Sequence, residues 1–496
     1  MRKWMLIVMA IVLVAANFSA SITYSLRIEG YDPSARHTPT YFHRISLDND
    51  LFGITIKDGE ILKINGKVHG MIQQRNEIGW IYYPVKAKPS LEVKIKKADP
   101  AVKAKENLNL LVLMGIVGQR RIYPDIPLAF ADNRAPANFI NNINGWAFSK
   151  EELEKNPGQL LTLDLDFGKR CSLNCPHCFR KSNKADLAGG KEMGYDDIVN
   201  VVKQAKELGC KSVKFLGAGE PFETPRILDF LRVLKELKIT PLVFTKGHVL
   251  GNDALVKKLY KDYGISSGEQ LVAELDRLGV TFLLGFNSFA PEVQNKMVGG
   301  IIGYTEKRNR ALKLLCEAGL NKTNPTRIGL IVTPITVESY NEIYKIYCWG
   351  KLRNLGVVTC PTMVSGRCGD EETWREITPP VQELVDLYTK IYEFNLQYRF
   401  QTMEQIKEEG ISSYAGFHPC NQVSCGMYVT LNGTVLRCPG DDTTIFGSIW
   451  ENPLDAIWHS SENYWRKGQF NCNCPPKDGK SIPHNLYTRV MQNLLT

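Results

Sequence analysis

Cys171, Cys175 and Cys178 stand at C-x3-C-x2-C spacing in the stretch Cys171-Ser-Leu-Asn-Cys175-Pro-His-Cys178-Phe179, directly after the strand-like run Leu160 to Phe167. Three thiolates this close together supply three corners of a metal site. A structural zinc ion closes its shell with four protein ligands, whereas a cubane iron-sulfur cluster on three thiolates keeps one iron open to a ligand that is not protein. The spacing admits a zinc knuckle and an open cluster, and only the second does chemistry at the metal. A further group, Cys420, Cys425, Cys438, Cys472 and Cys474, lies near the end of the chain, while Cys210, Cys316, Cys348, Cys360 and Cys368 are scattered. Such grouping reads as metal ligation in a reducing compartment rather than as a disulfide framework.

The elements that would position these cysteines follow from periodicity. At 496 residues the chain exceeds one ordinary core, and 44% hydrophobic with 23% charged residues is a folded composition. The net charge of +9 permits an acidic partner without requiring one. Short apolar runs at 160–167, 212–216, 240–245, 281–286, 327–332 and 357–360 alternate with helical patterns. Ile198, Val201, Val202, Ala205 and Leu208 fall on one helical face, as do Leu271, Val272, Leu275 and Leu278. Strands alternating with helices predict a parallel sheet with right-handed crossovers, and six repeats predict part of a barrel rather than a closed one. Function in such folds collects at the C-terminal ends of the strands.

The cysteine triplet resembles the signature of the radical S-adenosylmethionine (radical SAM) family, with His177 in the place often held by an aromatic residue and Phe179 following. The resemblance implies an α/β fold whose core is a partial (β/α)6 TIM-like barrel. It also implies a 4Fe-4S cluster on Cys171, Cys175 and Cys178, with SAM chelating the open iron. Reductive cleavage of SAM would give a 5'-deoxyadenosyl radical that removes a substrate hydrogen atom, and an external donor of ferredoxin or flavodoxin type would supply the electron. Gly217-Ala218-Gly219-Glu220 ends the second strand and is similar to the family's Gly-Gly-Glu motif, which places backbone near the methionine amino group of SAM. Ala218 departs from the double glycine. Thr245-Lys246-Gly247 resembles a family turn. Asn287 and Ser288 end the fourth strand as ribose-contact candidates, and Arg327, with Gly329 and Ile331, lies on the strand that contacts adenine in the family. Cys360 reads as a buried small residue.

Asn432-Gly433 between Tyr428–Leu431 and Thr434–Arg437 is a hairpin turn signal. With Cys420 before it and Cys438 five residues after Gly433, this region resembles the SPASM extension, and more closely its shorter twitch form, which implies a second 4Fe-4S cluster. Cys420, Cys438, Cys472 and Cys474 are the favoured ligands, with Cys425 the substitute; a zinc ribbon is the alternative. The resemblance spans Leu160 to about Lys477 and leaves the substrate open: peptide or protein modification, small-molecule oxidation, or RNA or nucleotide modification. An iron-sulfur electron carrier and a zinc-stabilised nucleic-acid binder are the readings outside this enzyme class. Cys368 and Tyr414 are candidates for a final hydrogen-atom donor.

The expected domains are a hydrophobic segment at 1–20, a β-rich region and linker at 21–150, the core at 155–400 and the cluster extension at 415–480. Arg2 and Lys3 precede the apolar run Trp4 to Ala16, which is outlined like a signal peptide or short anchor but is short for a spanning helix. The expectation is a cytoplasmic enzyme with membrane association through residues 4–16 or a buried N-terminal helix. Asp58-Gly59 and Asn65-Gly66 predict a β-meander through Gly53–Lys57, Glu60–Ile64 and Lys67–His69, with further strands at 80–85 and 91–97. Seven lysines between 86 and 105 mark either a basic binding face or a lysine-guarded outer strand.

Overall fold

The computed structural model describes the backbone of seven strands between residues 22 and 95, and residues 122–130, 133–181 and 190–496 in full. The chain divides into two compact units, Met1–Arg120 and Arg121–Thr496. The first contains two antiparallel sheets. One runs β3 (Ile45–Asp48), β1 (Ile22–Ile28), β7 (Ser90–Ile95), and the other β2 (Thr40–Phe42), β6 (Gly79–Pro84), β5 (Lys67–Arg75), β4 (Glu60–Ile64). Ile64 of β4 pairs with Lys67 of β5, while Asn65-Gly66, expected as the turn between them, lies outside the described residues. β7 ends its three-stranded sheet among the described strands and carries one of the seven lysines, Lys94; the other six lie outside the described residues. The strand expected at Gly53–Lys57 and the apolar segment 4–16 lie outside the described residues. Among the described residues no helix is long and apolar enough to cross a membrane.

The second unit is built on β8 (Thr162–Leu165), β9 (Ser212–Phe215), β10 (Thr240–Thr245), β11 (Thr281–Gly285), β12 (Ile328–Ile331) and β13 (Gly356–Val358), all parallel and each beside its predecessor. This is the six-strand half-barrel expected from periodicity. The crossover helices form for the reasons visible in sequence. In Tyr195–Glu207 the buried Ile198, Val201, Val202 and Ala205 make one face, and the Asp197 carboxylate accepts the Gly194 N–H at the start. In Gly268–Arg277, Ser267 caps the first turn through the Gln270 N–H.

Two features depart from the expected layout. β14 (Gly426–Val429) pairs parallel with β8, and β15 (Thr434–Leu436) and β16 (Ile445–Ser448) continue antiparallel, so the C-terminal hairpin extends the barrel sheet to nine strands. The stretch before residue 150, expected as a linker, belongs to the second unit and plugs the barrel. Ile143 is fully buried with Leu242, Leu283, Ile331, Val358 and Phe417. A Cβ on Gly329 or Gly356 would meet Ile143 at 2.4 Å, so both glycines are the room this plug occupies.

Candidate functional site

The cysteine loop leaves β8 at Leu165 and is tied down on every side. Asn174 N–H bonds to Val298 O at 3.1 Å, and Arg367 donates to Cys175 O and to Asn174 Oδ1, both at 2.7 Å. Ser172 donates its N–H (2.9 Å) and hydroxyl (2.6 Å) to Glu223 Oε1, which also meets His248 Nε2 at 2.9 Å. Burial pushes the Glu223 carboxyl up, but its bonds to His248 and Ser172 outweigh burial and bring it down to about 2. Cys171, Cys175 and Cys178 share one apolar cluster with Leu173, Val298, Ile301 and Tyr304. Burial pushes the Cys171 thiol up to about 12, so it ionises only when a metal receives it. The Lys181 N–H points at Cys178 Sγ at 3.3 Å, the kind of donor that tunes a cluster sulfur. Among the described residues no three His, Cys, Asp or Glu side chains converge as ligands of one metal ion.

The Gly217–Glu220 turn stands at the neighbouring strand end, and its glycines answer to the protein itself. A Cβ on Gly217 would lie 1.5 Å from Asp166 Oδ1, the atom that accepts the Ala218 N–H and the Tyr428 hydroxyl, each at 2.7 Å. Gly219 has φ +82° and would meet Gly168 O at 2.4 Å. Glu220 is buried and spans to the next strand end, accepting from Thr245 Oγ1 (2.6 Å) and Lys246 N–H (2.8 Å). Its carboxyl is raised by burial against these bonds.

Asn287 and Ser288 also lie at a C-terminal strand end, both fully buried. Ser288 gives its hydroxyl to Glu342 Oε2 at 2.5 Å, while Asn287 donates to Thr333 O and keeps its Oδ1 without a hydrogen-bond partner. Asn287 therefore has an acceptor to offer a ligand, and the Ser288 hydroxyl is already engaged. Arg327 is not brought to this end. It precedes β12 and bonds to Asp276 Oδ1 (2.6 Å) and Val280 O (2.8 Å) at the N-terminal side of the sheet, because a residue before a strand start faces away from the site.

The C-terminal cysteines meet the barrel at a cavity of about 130 Å³. Its wall includes Phe179 beside the first cysteine group, and Cys420, Cys438 and Cys474 of the second. Cys472 packs with Cys438 and Val423, and its N–H bonds to Cys420 O at 3.2 Å. Cys425 lies near Cys420 and Cys472 but packs in a different apolar cluster. It packs with Phe148, Leu153 and Leu161, and its thiol donates to Asn421 O at 3.1 Å. Cys360, also on the wall, accepts from Lys477 Nζ at 2.6 Å, a partner not visible in sequence. Tyr414 lines the cavity; Cys368 is buried beside the first cysteine loop and is not among the lining residues.

Residues 165–346 match the model of the radical SAM superfamily, and residues 420–476 that of an iron-sulfur cluster-binding domain, SPASM. The chain carries a radical SAM domain and a SPASM domain. Similar curated proteins include a tungsten-containing aldehyde ferredoxin oxidoreductase cofactor-modifying protein of Pyrococcus furiosus, 26% identical over 61% of this chain and 82% of that protein. A probable GTP 3',8-cyclase of Methanosarcina mazei is 29% identical over 37% of this chain and 50% of its own length. A PqqA peptide cyclase of Granulibacter bethesdensis is 28% identical over 31% of this chain and 36% of its own. The chain thus spans half or less of the two cyclases.

A radical SAM domain binds a 4Fe-4S cluster with SAM, and the SPASM match adds iron-sulfur binding at the C-terminus. The arrangement is compatible with a multi-iron cluster rather than a single ion at each place: three cysteines surround one apolar cluster, and Cys420, Cys438 and Cys474 line one cavity wall with Cys472 packed on Cys438. Sequence reading missed Asp164, Lys214 and Gln422, which join Tyr414 on the cavity wall. The signal was present, since Thr162 and Asp164 are polar on a strand buried along its whole length, where apolar runs are the rule, and Asp166 continues the alternation just beyond it.

Proposed function

We propose that this radical SAM enzyme modifies a peptide or protein, with the cavity between the two cysteine groups as its substrate chamber. Cys171, Cys175 and Cys178 would hold the SAM-binding cluster, and Cys420, Cys438, Cys472 and Cys474 the auxiliary one. When bound, the first cluster with SAM supplies a 5'-deoxyadenosyl radical and the second a one-electron relay. The chain's own contribution is positional. Glu220 fixes the Gly217–Gly219 turn to the next strand, and Glu223 and Arg367 fix the cysteine loop. Trp146, Leu216, Phe244, Ile331, Val358 and Met363 give the chamber an apolar lining that excludes water.

The observation that carries the choice of substrate is the charge of that chamber. Neither of its lysines is without a counterpart: Lys477 donates to Cys360, and Lys214, bonded to Gln422, stands in register beside the carboxylate of Asp164. Such a lining opposes a nucleoside triphosphate and suits a peptide segment. The similarity to a peptide cyclase supports the same choice, while the GTP cyclase similarity favours a nucleotide. The experiment is anaerobic reconstitution, iron and sulfide counting, and assay of 5'-deoxyadenosine with SAM and dithionite, beside a Cys171/Cys175/Cys178 triple-alanine variant. About eight irons, falling to about four with loss of cleavage in the variant, are expected. Stimulation of cleavage by a peptide library, with loss of two hydrogens from a peptide, supports the substrate class; stimulation by GTP alone refutes it.

A further inference from the structure

Asp164 sits at the centre of β8 with no exposed surface, and neither carboxylate oxygen has a hydrogen-bond partner. Directly beside it in register is Lys214 of β9, 4% exposed, whose ammonium donates to Gln422 Oε1 at 2.9 Å and stands 5.2 Å from the Trp146 ring. Trp146 Nε1 is likewise buried without a partner. All four residues line the chamber. Buried polar atoms in folded proteins are nearly always paired, and a group of unpaired acceptors beside unpaired and partly used donors therefore calls for a ligand. The complement of this group is neutral. A cation would face Lys214 and an anion would face Asp164, whereas a group bearing one donor and one acceptor satisfies both.

We propose that Asp164 and Lys214, with Trp146, form an amide-binding subsite of the chamber. The carboxylate accepts the N–H of one peptide unit of the substrate, and the ammonium and the indole N–H donate to its C=O. The subsite deepens the peptide reading above and rests on it. It fixes one backbone unit in the barrel lumen, between the loop of Cys178–Phe179 and the wall of Cys420, Cys438 and Cys474. A substrate held there by its backbone is positioned irrespective of its side chain, leaving side-chain choice to the apolar wall.

The test uses three small probes on the reconstituted full-length protein, followed by ligand-observed NMR titration: N-methylacetamide, N,N-dimethylacetamide and acetate. At pH 8.5, where Asp164, raised to about 7 by burial, is ionised, N-methylacetamide is expected to bind about tenfold or more tightly than N,N-dimethylacetamide, which lacks the N–H, because a hydrogen bond to a charged acceptor is lost. Acetate is expected to bind more weakly still. The Asp164→Leu variant, checked for fold by circular dichroism, is expected to lose the discrimination between the two amides. Equal affinity for the two amides, no binding of either, or discrimination that survives in Asp164→Leu would each overturn the subsite. The comparison of probes on the wild-type protein stands even if the variant does not fold. SAM cleavage by the same wild-type preparation separates the two claims. Cleavage without amide discrimination removes the subsite alone, and discrimination without cleavage removes the radical reaction.

Discussion

Replacing Gly217 by alanine tests the packing of the SAM-side turn. The new Cβ would stand 1.5 Å from Asp166 Oδ1, and real Cβ atoms do not come within 3.0 Å of a neighbour, so the carboxylate must retreat by about 1.5 Å. That distance is enough to break the 2.7 Å bonds from Ala218 N–H and from the Tyr428 hydroxyl. Hydrogen bonds to a charged group contribute about 1.5–3 kcal/mol each, so the loss of two predicts a destabilisation of about 3–6 kcal/mol. The cause is isolated by a double-mutant cycle with Asp166→Ala, which removes the obstructing carboxylate. Alone, Asp166→Ala removes the carboxylate that faces the buried Arg180 and is itself costly. In its background Gly217→Ala should cost less than about 1 kcal/mol, leaving a coupling energy well above the few tenths seen for independent sites. Denaturant midpoints and SAM affinity of the four proteins are the assay. If Gly217→Ala costs as much without the Asp166 carboxylate as with it, the steric account is wrong and the glycine is needed for its backbone alone.

Cys438→Ser should lose about four irons per chain while Cys425→Ser keeps the full complement, since the Cys425 thiol is bonded to Asn421 O and is not on the cavity wall; iron analysis of reconstituted protein decides. Arg367→Ala should hasten loss of iron from the first site on chelator challenge, because two bonds holding the cysteine loop go with the guanidinium. Glu223 is held down to about 2, its bonds to His248 and Ser172 outweighing burial. The stability it gives is therefore present above the unfolded carboxyl value and lost as pH falls from about 4.3 toward 2, and Glu223→Gln should flatten that acid limb of the thermal stability profile. Lys351, boxed by Phe139, Phe400 and Phe417, is pushed down to about 7 by burial. The folded state then binds fewer protons than the unfolded between about 7 and 10.4, so stability from this group rises with pH across that window. Lys351→Met should raise the melting temperature at pH 7 and gain less at pH 10.

The barrel was legible because its code is local. Six apolar runs spaced by amphipathic helices leave few topologies, and the cysteine spacing is contained in eight consecutive residues. The long-range partners were not legible. Nothing in Val423–Val429 announces that β14 will lie against β8, and nothing near Ile143 announces that it will fill the space left by Gly329 and Gly356. Gly217 shows the same limit at one residue. A glycine-rich turn signals close approach, but the approaching group is Asp166, fixed by a tyrosine far along the chain. Arg327 was placed by its strand and not by its position on that strand, and one residue before the strand start put it at the wrong end of the sheet.

The pairing of β14 with β8 bears on how the protein is made. Tyr428 and Asp166, which meet across it, are 262 residues apart in the chain. At about 5–20 residues per second, the ribosome delivers Tyr428 tens of seconds after the cysteine loop has emerged. Throughout that interval the strand carrying the loop has one open edge, and the Asp166 carboxylate lacks the hydroxyl that holds it. The strand that leads into the loop of Cys171, Cys175 and Cys178 is therefore paired on both edges only once the C-terminal hairpin has docked.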